Sequence, residues 1–291
     1  MKIVLCPNPF RDKGLKAAKS SETLLRAAGV HTECCFPFPV DKNNIGEIDP
    51  TIKIKEMKPE LPDADFLVCF GGDGTILHAA KDASSFGVPI VGVNMGSVGF
   101  MAELEQNELS QLTRLVSGEY TLENRMLLDV RVIRDGRVIF RSVALNDAVI
   151  TKGAVARVID LQVYGDKILI SNIFGDGVIL ATPTGSTAYS LSAGGPIVEP
   201  TAENIIMTPI SAHTLQSKAM VLDKNRLIDI TVPKQSRKTA YLSVDGGKAF
   251  KLISGDTVEV SRSRRCLCLV KLSGRSFYEM INHKLERRSR S

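Results

Sequence analysis

Two domains are expected: an α/β N-terminal domain with a parallel, Rossmann-like sheet, and an all-β C-terminal domain, antiparallel and sandwich-like. Three observations carry this. The chain has 291 residues, beyond the usual size of one domain. Up to about residue 118 wholly apolar runs alternate with helical patterns, as they do in parallel sheets covered on both faces. From about residue 120 the texture changes to a period of two broken by turn residues, which indicates strands with one wet face. The expected division is 1–122 for the α/β domain and 123–275 for the all-β domain. A helix over 276–291 is expected to pack back on the first.

Each element has its own reason. Ile3 to Cys6 reads as a buried strand, and Arg11 to Ala28 carries Leu15, Ala18, Leu24 and Leu25 at roughly helical spacing before Gly29 stops it. Residues 41–63 are polar and rich in Lys and Pro, which predicts a flexible surface loop. The strand 65–70 then enters Gly71-Gly72-Asp73-Gly74-Thr75, and Ile76, Leu77, Ala79 and Ala80 continue as a helix. Pro89 to Asn94 is a second apolar strand, followed by Gly96-Ser97-Val98-Gly99-Phe100, and Glu108 to Val116 is a helix ending at Gly118. Met126, Leu128, Val130 and Val132 alternate with Leu127, Asp129 and Arg131, and Asp135-Gly136 is a hairpin signal. Further strands are expected over Val158–Tyr164, Lys167–Ile173, Val178–Ala181, Leu227–Val232, Tyr241–Val244 and Thr257–Val260. Thr187 to Ala193 is a short helical insert, and Phe277 to Leu285 is the final helix.

Bulk composition narrows the function. A formal net charge of +5 suits anionic small molecules and lacks the concentrated basic face of a nucleic-acid binder. The basic tail His283 to Ser291 reads as a solvated terminus. Six cysteines show no C-x-x-C spacing, and four histidines lie scattered without ligand spacing, so no zinc site is expected. The first apolar run is too short for a signal peptide, and no stretch is long enough to span a bilayer. A cytoplasmic, reduced protein without membrane or nucleic-acid partners is expected.

The glycine loop after residue 70 carries the sharpest chemistry. Glycine lets a backbone approach a ligand closely, and a helix start attracts anions. A carboxylate there would repel phosphate unless it holds a metal ion or takes a proton from an attacking hydroxyl. Anion cradle plus base points to phosphoryl transfer. A second constellation lies in the β region. Asn146 and Asp147 stand side by side in an apolar run, able to hold an adenine edge or a ribose hydroxyl, or alternatively to cap a turn. In Gly175 to Ser190, hydroxyls, glycines and Tyr189 crowd a strand-to-helix junction, the parts a nucleoside pocket needs. Ser186 or Thr187 alone could equally be a helix N-cap.

Gly71-Gly72-Asp73-Gly74-Thr75, Leu145-Asn146-Asp147 and the block Thr182 to Pro196 occur in one order. With His213-Thr214 they resemble the NAD kinases, from the first strand to about residue 260. The first motif is shared with diacylglycerol and sphingosine kinases, and phosphofructokinases carry a close variant. The long Thr-Pro-Thr-Gly-Ser-Thr-Ala-Tyr block is specific. The resemblance implies transfer of the γ-phosphoryl of ATP to the adenosine ribose 2′-hydroxyl of NAD, with ATP and NAD as substrates and a divalent cation, usually Mg²⁺, assisting. It implies Asp73 as general base, with Gly71, Gly72, Gly74 and Thr75 shaping the phosphate-facing loop. Asn146 and Asp147 would hold the ribose and adenine portion. Thr187, Ala188 and Tyr189 would line the base pocket, with Ser190, Leu191 and Ser192 beside them. Asp176 would face the nicotinamide end, and Arg157 would add a dinucleotide contact. Relatives form dimers or tetramers, so a homo-oligomer is implied; no metal ligands are implied.

Two positions depart from that pattern. His78 stands where many relatives carry Arg, so any phosphate contact there depends on a conditional charge. Asp245-Gly246-Gly247 replaces the common Asp-Gly-Gln, which removes a Gln-mediated contact and leaves Asp245 readable as part of a tight turn. Competing readings are a diacylglycerol-type lipid kinase, which needs an apolar membrane-facing patch, and a non-catalytic NAD(P) sensor, against which an intact Asp73 argues. Neither G-x-x-x-x-G-K-[ST] nor a well-placed G-x-G-x-x-G is present.

Overall fold

The computed structural model describes residues 1–41, 44–96, 99–153, 158–212, 218–234 and 238–288. The chain forms two compact units, Met1–Asn124 with Leu267 onward, and Arg125–Cys266.

The first unit holds β1 (Lys2–Pro7), α1 (Lys16–Ala27), β2 (His31–Cys35), β3 (Ile54–Lys55), α2 (Met57–Glu60), β4 (Phe66–Gly71), α3 (Asp73–Phe86), β5 (Ile90–Asn94), β6 (Leu104–Glu105) and α4 (Arg114–Ser117). The strands pair in parallel in the order β3-β2-β1-β4-β5, with β6 also beside β5. All six residues of β4 and all five of β5 are buried, as expected of strands covered on both faces. Ile3, Leu5, Phe66, Val68 and Val91 pack with Leu25, Leu112 and Leu115. Each such side chain contributes about 1.5–3 kcal/mol.

Two expectations need correction here. The helix expected over Arg11–Ala28 begins only at Lys16. Gly14 and Leu15 take left-handed backbone, with φ of 68° and 55°, which breaks the run. The buried Asp12 carboxylate accepts N–H bonds from Ala17 and Ala18, both 3.0 Å, and so satisfies the helix start from outside it. Residues 41–63 are not a bare surface loop. They include β3 and α2, Met57 and Leu61 are buried, and Ile48, Ile52 and Ile54 pack on the core.

The second unit continues through β7 (Thr121–Arg134), β8 (Arg137–Ala144), β9 (Asp147–Thr151), β10 (Ile159–Gly165), β11 (Ile168–Gly175), β12 (Gly177–Ala181) and α5 (Tyr189–Ser192). Then come β13 (Asn204–Ile210), β14 (Met220–Asp223), β15 (Ile228–Thr231), β16 (Ala240–Val244), β17 (Phe250–Leu252) and β18 (Thr257–Lys271), before α6 (Phe277–Arg288) in the first unit. One antiparallel sheet runs β14-β13-β12-β9-β16-β17. A second antiparallel group runs β11-β10-β15-β18, and β7 pairs with β8. Side chains of both, such as Ile150, Val178 and Leu180 with Leu161, Ile230 and Val258, fill a shared core. Asp135 and Gly136 both take positive φ, 49° and 73°, the geometry of a two-residue hairpin. The sequence reading missed β13, whose Pro209 argues against a strand, and the short β14 and β17.

The strand expected over Thr257–Val260 runs on to Lys271, and Leu269 pairs in parallel with Ile90 of β5. The buried Glu103 ties down the residues that follow. Its Oε1 accepts the N–H of Leu272 (2.8 Å), the N–H of Ser273 (2.6 Å) and the Ser273 hydroxyl (2.7 Å), while Lys271 pairs with Oε2. Burial opposes ionisation of Glu103, but Lys271 and Ser273 outweigh it and hold the carboxyl below its ordinary range.

Cys6, Cys34, Cys35 and Cys69 are buried and all six cysteines are free. Burial raises the thiols of Cys34 and Cys35 to about 12 each, so they serve as small hydrophobes. Among the described residues no helix is long and apolar enough to cross a membrane.

Candidate active site

In the first unit, β4 ends at Gly71 and Gly72 alone leads into α3, whose first residue is Asp73. Gly71 has no room for a side chain: a Cβ would lie 2.1 Å from Thr75 Oγ1. That buried hydroxyl accepts a bond from Asn8 Nδ2 (3.1 Å), and the Asn8 N–H donates to the Phe70 carbonyl (2.9 Å). Asp73 is half-buried, and both its oxygens are oriented. Oδ2 accepts the Phe100 N–H at 2.8 Å and Oδ1 the Met101 N–H at 3.0 Å. Gly99 permits this, since a Cβ there would lie 2.1 Å from Oδ1. Each carboxylate oxygen has a second acceptor position, so acceptor capacity remains on both. Asn94 steadies the segment before it by donating to Gly96 O (3.2 Å) and accepting the Gly96 N–H (3.1 Å).

Around this loop lie groups the sequence reading did not single out. The Arg11 guanidinium sits 3.7 Å from the Cβ position of Gly96 and is exposed. Asn8 and Arg11 gave a weak signal, an Asn-Pro pair closing an apolar strand. His78 is exposed, and its ring meets Phe38 edge-on, with centroids 4.9 Å apart. Gly72 is half-buried and Gly74 exposed.

In the second unit, Leu145 and Asn146 form the bend between β8 and β9, and Asp147 opens β9. Asp245 takes φ of 50°. Its carboxylate accepts the N–H groups of Leu145 (2.7 Å), Asn146 (2.8 Å) and Asp147 (3.0 Å). From the other side, the Thr182 hydroxyl donates to Leu145 O (2.5 Å) and the Thr182 N–H to Asn146 O (2.8 Å). Asp147 is buried, and no hydrogen bond reaches its carboxyl from the described residues. Burial, and then the nearby Asp245 charge, raise it to about 7.

The block after β12 makes a 3₁₀ turn over Thr184–Thr187 and then α5. Gly185 packs so tightly that a Cβ would lie 2.1 Å from Asn146 O, which brings this block against the Asn146 bend. Thr187, Ala188 and Leu191 are half-buried, and Tyr189 and Ser192 exposed. Ser190 faces inward, bonded to Thr208 Oγ1 at 2.8 Å, a supporting place rather than a ligand-facing one. Ser186 exchanges two hydrogen bonds with the Val198 backbone. Asp176 pairs with Lys152 at 2.7 Å. Arg157, Ser97-Val98 and His213-Thr214 lie outside the described residues.

Comparison with known proteins gives the family. Residues 18–120 match the ATP-NAD kinase N-terminal domain and residues 145–272 the ATP-NAD kinase C-terminal domain. The NAD kinase of Acetivibrio thermocellus is 35% identical over 292 residues, covering 100% of this chain and 99% of that protein. That of Thermoanaerobacter sp. (strain X514) is 40% identical over 288 residues, with 99% of each covered. Among solved structures, yeast NADH kinase complexed with NADH matches with a TM-score of 0.83 at 26% identity, covering 98% of this chain and 87% of that one. An NAD kinase from Archaeoglobus fulgidus in complex with ATP matches with a TM-score of 0.69 at 25% identity, covering 94% of each. Full-length likeness to such relatives, with both domain matches in order, means that this chain belongs to the NAD kinase family.

Proposed function

We propose that the chain transfers the γ-phosphoryl group of ATP to the 2′-hydroxyl of the adenosine ribose of NAD, giving NADP and ADP. The bond formed joins that oxygen to the γ-phosphorus, the bond broken joins the γ-phosphorus to the β–γ bridging oxygen, and the hydroxyl proton goes to Asp73. The observation that carries the reading is the Asp73 carboxylate, aimed by the Phe100 and Met101 N–H groups with acceptor positions to spare. A ribose hydroxyl is a poor nucleophile, and a positioned base supplies about 10²–10⁴-fold. Positioning and charge neutralisation lower the rest of the barrier. Gly71, Gly72, Gly74 and Thr75 give a helix start that favours phosphate, and Arg11 adds a cation beside the loop.

Asn146 and Asp147 hold the ribose and adenine portion, Thr187, Ala188 and Tyr189 line the base pocket, and Asp176 faces the nicotinamide end. Among the described residues no group of three or more His, Cys, Asp or Glu could hold a metal. A divalent cation, Mg²⁺ by expectation, would be held chiefly through the substrate phosphates, as Mg²⁺ commonly is; no step here is assigned to it. A homo-oligomer working in the cytoplasm completes the reading.

The test is a coupled assay in which protein, ATP, Mg²⁺ and NAD yield a product that an NADP-specific dehydrogenase reduces. Phosphorylation of a lipid, or NAD binding without turnover, would overturn the reading.

A further inference from the structure

We infer that Asp245 and Thr182 are positioning residues that preset Asn146 and Asp147 for the dinucleotide; the inference rests on the reading of those two as its contacts. Every backbone polar group of one short turn has a partner. Residues 145–147 have three backbone N–H groups, and the Asp245 carboxylate takes all three. They have three carbonyls: Thr182 Oγ1 and N serve the first two, and the Asp245 N–H serves that of Asp147 at 3.0 Å. Two residues thus satisfy six backbone groups from opposite sides. Thr182 is itself fixed, because its hydroxyl accepts the Gly185 N–H at 3.1 Å.

The two side chains that this turn displays are left unmatched. Neither the Asn146 amide nor the Asp147 carboxyl has a hydrogen-bond partner among the described residues. Polar side chains that the fold leaves unmatched keep their hydrogen-bonding capacity for a ligand. Asp147, a residue 5% exposed, and the half-buried Asn146 set a carboxyl beside an amide with donor and acceptor to offer, which fits a hydroxyl-rich, base-bearing ligand. Ordering six backbone groups in advance means that binding need not order them, so the benefit falls on ground-state affinity. Asp245 and Gly246 take φ of 50° and 69°, the two-residue turn geometry that Asp135-Gly136 also takes, so one residue both turns its own chain and holds residues 145–147.

The full chain tests this. In Asp245→Asn an amide nitrogen replaces one acceptor, and in Thr182→Val the hydroxyl is lost. Each should raise KM for NAD about tenfold, with kcat and KM for ATP changed less than about threefold, the pattern of lost uniform binding. Thr182→Ser keeps the hydroxyl and should restore the wild-type KM for NAD. A structural role alone would move both KM values or neither. Should Asp245→Asn fail to fold, the Thr182→Val and Thr182→Ser pair decides. Folded variants whose KM for NAD stays within twofold of wild type overturn the clamp and leave the kinase reading standing. A wild-type chain that does not bind NAD overturns both.

Discussion

Asp73 and Asp245 are both carboxylates pinned by backbone amides, yet the pinning differs in kind. Asp73 accepts two N–H groups and stays half-exposed at the first residue of a fourteen-residue helix. Asp245 accepts three and is buried enough that desolvation raises its pKa, although the three amides pull it down. In the first case the protein orients a carboxylate and leaves acceptor positions open. In the second it commits three of the four acceptor positions to backbone, and the side chains left to face a ligand are those of Asn146 and Asp147 next door. The same device thus yields a reacting group in one unit and a fixed turn in the other.

The largest effect expected is at Asp73. Asp73→Asn should lower kcat by about 10²–10⁴-fold, with NAD affinity near wild type by titration. Near-normal turnover would make Asp73 a loop fastener like Asp245 and erase the contrast. Gly99→Ala comes next. Its new methyl meets the Asp73 oxygen, so turnover should fall about 10²-fold while NAD affinity holds; an unchanged rate would mean that the carboxylate aim is unimportant.

Asp147→Asn sharpens the other side. The folded-state carboxyl holds its proton up to about pH 7, whereas in an unfolded chain an aspartate releases it near pH 4. Asp147 therefore contributes stability that is full below about pH 4 and lost as pH rises towards 7. Thermal melts should show wild type losing several degrees relative to Asp147→Asn between pH 5 and 8, at roughly 2–4 °C per kcal/mol. Parallel curves would mean that Asp147 has a partner. The smallest effect belongs to Asn8→Ala, which removes two neutral bonds, Nδ2 to Thr75 and the Phe10 N–H to Oδ1, and should cost about 1–3 kcal/mol. Turnover should stay within threefold; a larger fall would move Asn8 from support into the site.

Much of this was legible in the sequence because it rests on local chemistry. The apolar runs 66–70 and 89–93 lie in β4 and β5, and Asp135-Gly136 became the hairpin it signals. Gly71 to Thr75 marked the loop. The unread parts depend on residues far apart in sequence. Asp12 starts α1 from outside it, which no periodicity reports. Ile48, Ile52 and Met57 anchor a segment whose Lys and Pro content hid them. The partners of Asp73 lie at 100 and 101, and those of Asp245 about a hundred residues upstream. Asp245 lies in the tight turn its sequence suggests, but only folding brings it to residues 145–147, so that second role was unreadable.

The Glu103 anchor has a consequence for how the molecule is made. Its partners, Lys271, Leu272 and Ser273, are synthesised some 170 residues later. While translation is still in the middle of the chain, a nascent first half leaves that carboxylate without its counter-ion and β5 without its Leu269 neighbour. A product truncated before Leu269 lacks all of these partners, and it should be cut by proteases near Glu103 more readily than the full chain.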